Sequence, residues 1–358
     1  MWSCRSVRSF PSPAVTVLVA LALVVWLVTA AAESAGSSVG TRPVEIRGLG
    51  EFRVSGPYQH KNLALYVVQA VESERLDDGL ITLQSAMANK RVVVHETGNV
   101  NELVVENQSG RRVFVQAGDI LKGGHQDRVI AYDLMLEPDS GKVSLAAFCV
   151  ESGRWGRRGS ERARSFAGAP MALSGNKLKL AVREAKSQSG VWTEVANVQG
   201  ELTERVTVAA FSEVSPTSMQ LTLENKQVGK KARRYRKALA DSIDGKSDVV
   251  GVVMAINGEP IGANLFRWPD LFAAQWPRLL QSASVEAVAS KNAGGEVAAP
   301  ALEAVAEFLK LPAREPAEVR ELLPGLAEWR LSDKQAVRFV SKYGDLGWMR
   351  AEYLSLED

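Results

Sequence analysis

The sequence predicts an α+β protein, an antiparallel β-rich sandwich or small barrel with a helical subdomain inserted or appended. Three observations carry that prediction. Between Pro43 and Glu151 short apolar runs alternate with glycine- and asparagine-rich turns, as consecutive antiparallel strands do. From Leu173 to Asp241 apolar residues recur at helical spacing. Strand-like runs then return around Asn257-Gly258, the dipeptide of a two-residue hairpin. The composition agrees: 358 residues, 46% of them hydrophobic, with 43 basic and 41 acidic side chains, suit a globular chain and exclude a disordered or fibrous one.

Residues 1–32 read as a signal peptide or N-terminal membrane anchor. Arg5 and Arg8 precede an uncharged run, Ala14–Val28, which ends in the small residues Ala30 and Ala32. That order fits export with cleavage before Glu33. Counted to Ala32 the run is also long enough to cross a bilayer uncut through residues 14–32. Either way the expected location of the body is outside the cytoplasm, periplasmic, extracellular or membrane-anchored. Residues 33–42 are small and polar and read as a flexible spacer.

Removing residues 1–32 takes away two arginines and no acid, so the formal net charge falls from +2 to 0. A neutral body argues against a general nucleic-acid binder. Cys4 leaves with the same segment and Cys149 remains alone, which excludes a disulfide framework and a cysteine-cluster metal site. Nothing in the sequence indicates a particular cofactor.

The main domain spans residues 43–290, β-rich over 43–160, helical over 170–245, and a hairpin with a helix over 248–290. Strands are expected at Leu63–Val71, Arg91–His95, Glu102–Glu106, Arg112–Gln116, Arg128–Leu136 and Lys142–Val150, with a short helix capped by Thr82. Gly153–Gly168 reads as a basic loop. Helices are expected over Leu173–Lys186, Val191–Val206, Pro216–Asp241 and Trp268–Ser290, the last kinked at Pro277. Residues 291–300 read as a linker. Residues 301–358 read as two helices, Ala301–Leu311 and Glu315–Leu323, then strands, with the whole segment free to pack back on the main domain.

Two clusters carry the candidate chemistry. The first, Gly118–Arg128, sets Asp119, His125, Gln126, Asp127 and Arg128 among three glycines that let the backbone approach a ligand. It lacks the Gly-Lys-Ser/Thr ending of a phosphate loop and the helix of a dinucleotide fingerprint. His125 is a weak metal candidate, because only His60 and His95 could join it. The second cluster, Cys149–Trp155, offers Glu151 and Arg154 at a strand end and Trp155 as a stacking surface. Cys149 lies within an apolar strand, where a buried inert thiol is expected. Lys230–Lys237 puts six cations in eight positions, on a helix whose face is either solvated or set against anionic lipid headgroups.

Together the two clusters resemble a known family. Gly118-Asp-Ile-Leu-Lys-Gly-Gly-His-Gln-Asp-Arg128, followed by Phe148-Cys-Val-Glu-Ser-Gly-Arg-Trp155, is similar to the core of the ARG-and-rhodanese-phosphatase-superfamily-associated protein domain. Val94–Leu103 and Val250–Phe266 also look familial. The resemblance implies a link to ADP-ribose or NAD-derived metabolites and no particular reaction. The matched polar positions are Asp119, Gln126, Arg128, Glu151, Arg154 and Trp155.

Three functions follow as expectations. In the first, Arg128 and Arg154 line one open hollow and hold a small anionic ligand, with Trp155 stacked on its ring. In the second, Gln126, Arg128, Glu151 and Arg154 form a structural polar network in a non-catalytic envelope or protein-interaction module. In the third, the domain is a hydrolase with Asp119 or Glu151 as general base.

Overall fold

Val249–Ile256 is apolar at every residue and Leu63–Ala70 at all but Gln69, which suits strands buried on both faces. In the computed structural model they pair at the centre of the largest sheet. The structure describes residues 1, 39–75, 79–156, 158, 165–184, 187–206, 209–290, 296–312 and 317–356. Contacts divide the chain into Met1–Val39 and the folded body, Gly40–Asp358. The signal or anchor segment lies outside the described residues, as do residues 33–38 of the spacer.

In chain order the body begins with β1 Gly40–Ile46, β2 Gly50–His60, β3 Leu63–Ala70, β4 Ile81–Thr82, α1 Leu83–Ala88, β5 Val92–Glu96, β6 Glu102–Asn107 and β7 Val113–Val115. Then come β8 Asp119–Gly123, β9 Arg128–Ile130, β10 Leu134–Leu136, β11 Gly141–Cys149 and β12 Phe166–Ala172. The helical part is α2 Asn176–Glu184, α3 Gln188–Val206, α4 Met219–Leu223 and α5 Lys226–Leu239. It is followed by β13 Val249–Ile256, β14 Glu259–Phe266, α6 Pro269–Ala289 and α7 Leu302–Lys310. The chain closes with β15 Glu318–Leu323, β16 Leu326–Ser332, β17 Ala336–Tyr343 and β18 Trp348–Ser355.

The fold is α+β. A nine-stranded antiparallel sheet runs β1-β2-β3-β13-β14-β18-β17-β16-β15, and a six-stranded one runs β12-β8-β9-β11-β6-β5. A small third sheet, β10-β7-β4, includes a parallel pair, β4 with β7. Strand β3 shows why two cores form. Leu63, Leu65 and Val67 point into the core shared with the six-stranded sheet and most helices. Ala64, Tyr66 and Val68 point to the opposite core, which α7 closes with Val305, Phe308 and Leu309.

Several elements differ from the sequence reading. Gly118–Arg128 contains a strand missing from the expected set: Asp119–Gly123 is β8, paired with β9 and β12. Asp119 and Lys122 hide the strand because their partners come from distant helices, Arg278 and Glu224. The expected strand Arg128–Leu136 is split between two sheets, with the buried Asp133 between its halves. Pro216–Asp241 breaks at Asn225, whose side chain accepts from the amides of Gln227 (2.9 Å) and Val228 (3.4 Å) and starts α5 anew. Helix α6 forms where it was expected, with Pro277 inside it. Of the helix expected at Glu315–Leu323, the described part Glu318–Leu323 is the edge strand β15, largely exposed, where helix-favouring Glu and Arg are tolerated at a solvent-facing edge. The expected spacer overlaps β1, and the expected basic loop ends in β12. Strands β16–β18 belong to the same sheet as β1–β3.

Candidate functional site

The two motif runs meet because β9 and β11 are antiparallel neighbours, with Arg128 opposite Cys149. Just past the pair, the amide of Val150 donates to Asp127 O (3.0 Å), so Glu151 enters the turn that ends in Asp127. The turn needs glycine. Gly124 has φ +56, and a Cβ there would lie 2.3 Å from Phe166 and 2.4 Å from the Glu96 carboxylate. The Glu96 carboxylate instead accepts from the backbone amide of His125 (2.7 Å).

Around this junction lies a buried ionic network. Arg154 spends all five of its N–H donors. Its Nε donates to Glu151 Oε1 (2.7 Å) and its Nη2 to Glu151 Oε2 (2.6 Å) and Gly123 O (3.2 Å). Its Nη1 donates to Gly124 O (3.0 Å) and Gly156 O (2.5 Å). Arg158, also buried, grips Asp127 with both terminal nitrogens at 2.8 and 3.0 Å and reaches Glu151 Oε1 at 3.2 Å. Glu151 further accepts from the amide of Asp127 (2.9 Å) and the hydroxyl of Ser215. Ser218 caps α4 through the amide of Leu221 (3.1 Å) and donates to Asp127 Oδ2 (2.7 Å), tying that helix to the turn. Gln126 donates to Glu151 O (3.0 Å). Arg128 is 0% exposed, 3.5 Å from the Glu96 carboxylate and hydrogen-bonded to Gln126 O (3.3 Å).

The charges balance: three guanidiniums, Arg128, Arg154 and Arg158, face the carboxylates of Glu96, Asp127 and Glu151. Burial pushes the Glu151 carboxyl up, but hydrogen bonds from Arg154, Ser215 and the Asp127 amide outweigh it and hold it below the usual range. The expectation of an open hollow lined by Arg128 and Arg154 is therefore corrected. The stretches do meet, but Arg128 is enclosed, Arg154 is mostly covered, and each has a carboxylate already.

Asp119 belongs elsewhere. It is fully buried and binds Arg278 of α6 at 2.6 Å, with its other oxygen accepting from the Gln116 amide (3.3 Å). Trp155 is the accessible member, 60% exposed, with its ring 5.3 Å from that of His125. Among the described residues no group of three His, Cys, Asp or Glu side chains could hold a metal ion, so His125 finds no co-ligands there. Cys149 is buried, and that burial pushes its thiol up to about 11.

A second ionic network escaped the sequence reading. Arg350, fully buried in β18, binds Asp133 (3.0 Å), Glu352 (2.9 Å) and Asn264. Arg183 of α2 lies 3.0 Å from Glu328 and 3.5 Å from Glu352. Burial pushes the Glu328 carboxyl upward despite Arg183. Burial also opposes the Asp133 charge, but Arg350 and Arg183 win and hold that carboxyl low. Beside this network is a cavity of about 20 Å³, touching Gln116, Lys179, Arg183, Asn264, Arg350 and Glu352. It has room for a water molecule and no more. Gln116 Oε1 has no hydrogen-bond partner among the described residues. The sequence signal for this network was charge within strand patterns such as Leu326–Ser332 and Trp348–Ser355, which reads equally well as an exposed face.

The fold and site define a class: an α+β body of large antiparallel sheets whose motif residues are committed to buried ion pairs. The chain belongs to the family described as the ARG and Rhodanese-Phosphatase-superfamily-associated Protein domain, whose profile matches residues 51–349. No curated protein and no solved structure matches it. Among the described residues no helix is long and apolar enough to cross a membrane.

Proposed function

We propose that this chain is an exported, non-catalytic interaction module in which Gln126, Arg128, Glu151 and Arg154 are a structural network. One observation carries the reading: every donor of Arg154 is already spent within the protein, and Arg128 is enclosed beside Glu96. An ADP-ribose-like phosphate would have to displace carboxylates from both guanidiniums. A general-base role is disfavoured for the same reason. Glu151 accepts five hydrogen bonds, and Asp119 is sealed against Arg278 in a separate part of the body. Export rests on the order of Arg5, Arg8, the apolar run and Ala30–Ala32.

The test is a thermal-shift screen against ADP-ribose, nucleotides and sugar phosphates. A ligand at 100 times its dissociation constant adds about 2.7 kcal/mol, so binding would be plain in the melt. The expected result is no shift with any of them. A shift that disappears in Arg154→Ala, with the variant still folded, would overturn the reading in favour of a ligand site. Mass spectrometry of the N-terminus reads the export part: a chain starting at Glu33, or one held in the membrane fraction through residues 14–32, is expected. A chain retaining Ala14–Ala32 in a soluble cytoplasmic fraction would contradict it.

A further inference from the structure

Helix α5 carries a charge pattern that neither ionic network uses. Its buried residues are Val228, Ala232, Tyr235 and Leu239, spaced four, three and four apart, so they form one stripe against the body. Lys226, Lys230, Arg233 and Lys237 repeat the same spacing two residues out of step. At about 100° per residue this places them on the opposite side of the helix. Lys231 and Arg234 are exposed beside them, and α5 contains no acidic residue. Lys230, Arg233, Arg234 and Lys237 form no ion pair with a carboxylate among the described residues. Lys231 donates to the Arg205 carbonyl, and Glu224, just before the helix, is taken by Lys122 at 2.7 Å. A body whose formal charge is zero without residues 1–32 thus concentrates six exposed cations on one helix face.

We infer that this face of α5 docks electrostatically on a membrane surface rich in anionic lipid headgroups. Three features favour lipid over other polyanions. The face is a straight stripe of long, snorkelling cations, suited to a plane of phosphates. The helix's one aromatic, Tyr235, is buried, so the face offers no stacking platform for bases. Finally, residues 29–39 separate the apolar run from β1. Even fully extended, those 11 residues span roughly 40 Å, so a retained run would keep the body close to a bilayer. The face exposes no large apolar side chain, so the contact is peripheral and sensitive to salt. This inference does not depend on how the motif clusters are read.

The experiment is flotation of the full chain with vesicles of phosphatidylcholine alone and of an equimolar phosphatidylcholine–phosphatidylglycerol mixture. The apolar run is common to both, so the ratio of the two partition coefficients reports the cationic face. The comparison protein is Lys230→Gln/Arg233→Gln/Arg234→Gln/Lys237→Gln, whose changes are all at exposed, unpaired positions. Wild type should prefer the anionic vesicles, with the preference shrinking in high salt. Each neutralised cation should lower the preference about fivefold, so the quadruple variant should lose more than two orders of magnitude. An equal preference in both proteins, or none in wild type, would overturn the inference. So would tighter, α5-dependent binding to an RNA or DNA duplex at the same ionic strength.

Discussion

Replacing Arg154 with alanine separates a structural network from a ligand site. The substitution removes five donors at once and leaves Glu151, whose side chain is 0% exposed, with Arg158, Ser215 and one amide. Breaking a buried pair from one side costs about 3–5 kcal/mol, because the surviving charge stays buried. Arg158 offsets part of that, which favours the lower half of the range. For a body of about 320 residues the unfolding entropy is about 0.7 kcal/mol per kelvin, so the melting temperature should fall by about 4–6 °C. Differential scanning calorimetry measures it directly. Adding Glu151→Gln removes the orphaned charge, so the double variant should be destabilised by less than the sum of the two single changes. The reasoning is refuted if Arg154→Ala melts within about 1 kcal/mol of wild type, since the guanidinium would then be dispensable to the fold.

Three further predictions follow from the same geometry. Gly124→Ala places a methyl group 2.3 Å from Phe166 at φ +56 and should destabilise by about 2 kcal/mol or more in a denaturant melt. For pH, the folded-state carboxyls of Glu151 and Asp133 are held low, so the stability they contribute is present above the ordinary carboxylate range, about pH 4. It is lost as pH falls through their lower folded values. Glu328 is shifted upward and works in the opposite sense, its contribution fading as pH rises through its folded value. Melting temperature should therefore drop on acidification, and Glu151→Gln should flatten that limb. Arg350→Ala should be among the most damaging single changes, about 3–5 kcal/mol, because it strands Asp133 and Glu352. Arg350→Ala with Asp133→Asn should recover part of the loss in the same melt.

The structural network changes what the motif runs mean. Ser218 joins the cap of α4 to Asp127, and Ser215 and Arg158 join their segments to Glu151. Asp127 and Glu151 of the two runs, together with Arg158, therefore fasten the start of the helical part onto the six-stranded sheet. The His125–Trp155 pair and the cationic face of α5 lie outside that network.

Local chemistry made some of this protein legible from the chain alone. Thr82 caps α1 as its position foretold, accepting from the Ser85 amide at 3.3 Å. Asn257 and Gly258, both at positive φ, make the hairpin between β13 and β14. The apolar run of β13 and the helical spacing of Val195, Val198 and Leu202 are likewise where the sequence put them, because burial of a regular face leaves a regular period. Tertiary structure alone decided the rest. Asp119 and Asp127 look equivalent in one short run, yet one pairs with Arg278 and the other with Arg158. Arg183 and Arg350 carry no local mark of burial, yet α2 and β18 enclose them with Glu328, Glu352 and Asp133. A charge is stable in the interior only when its counter-charge arrives from elsewhere in the chain, and that pairing has no period to read.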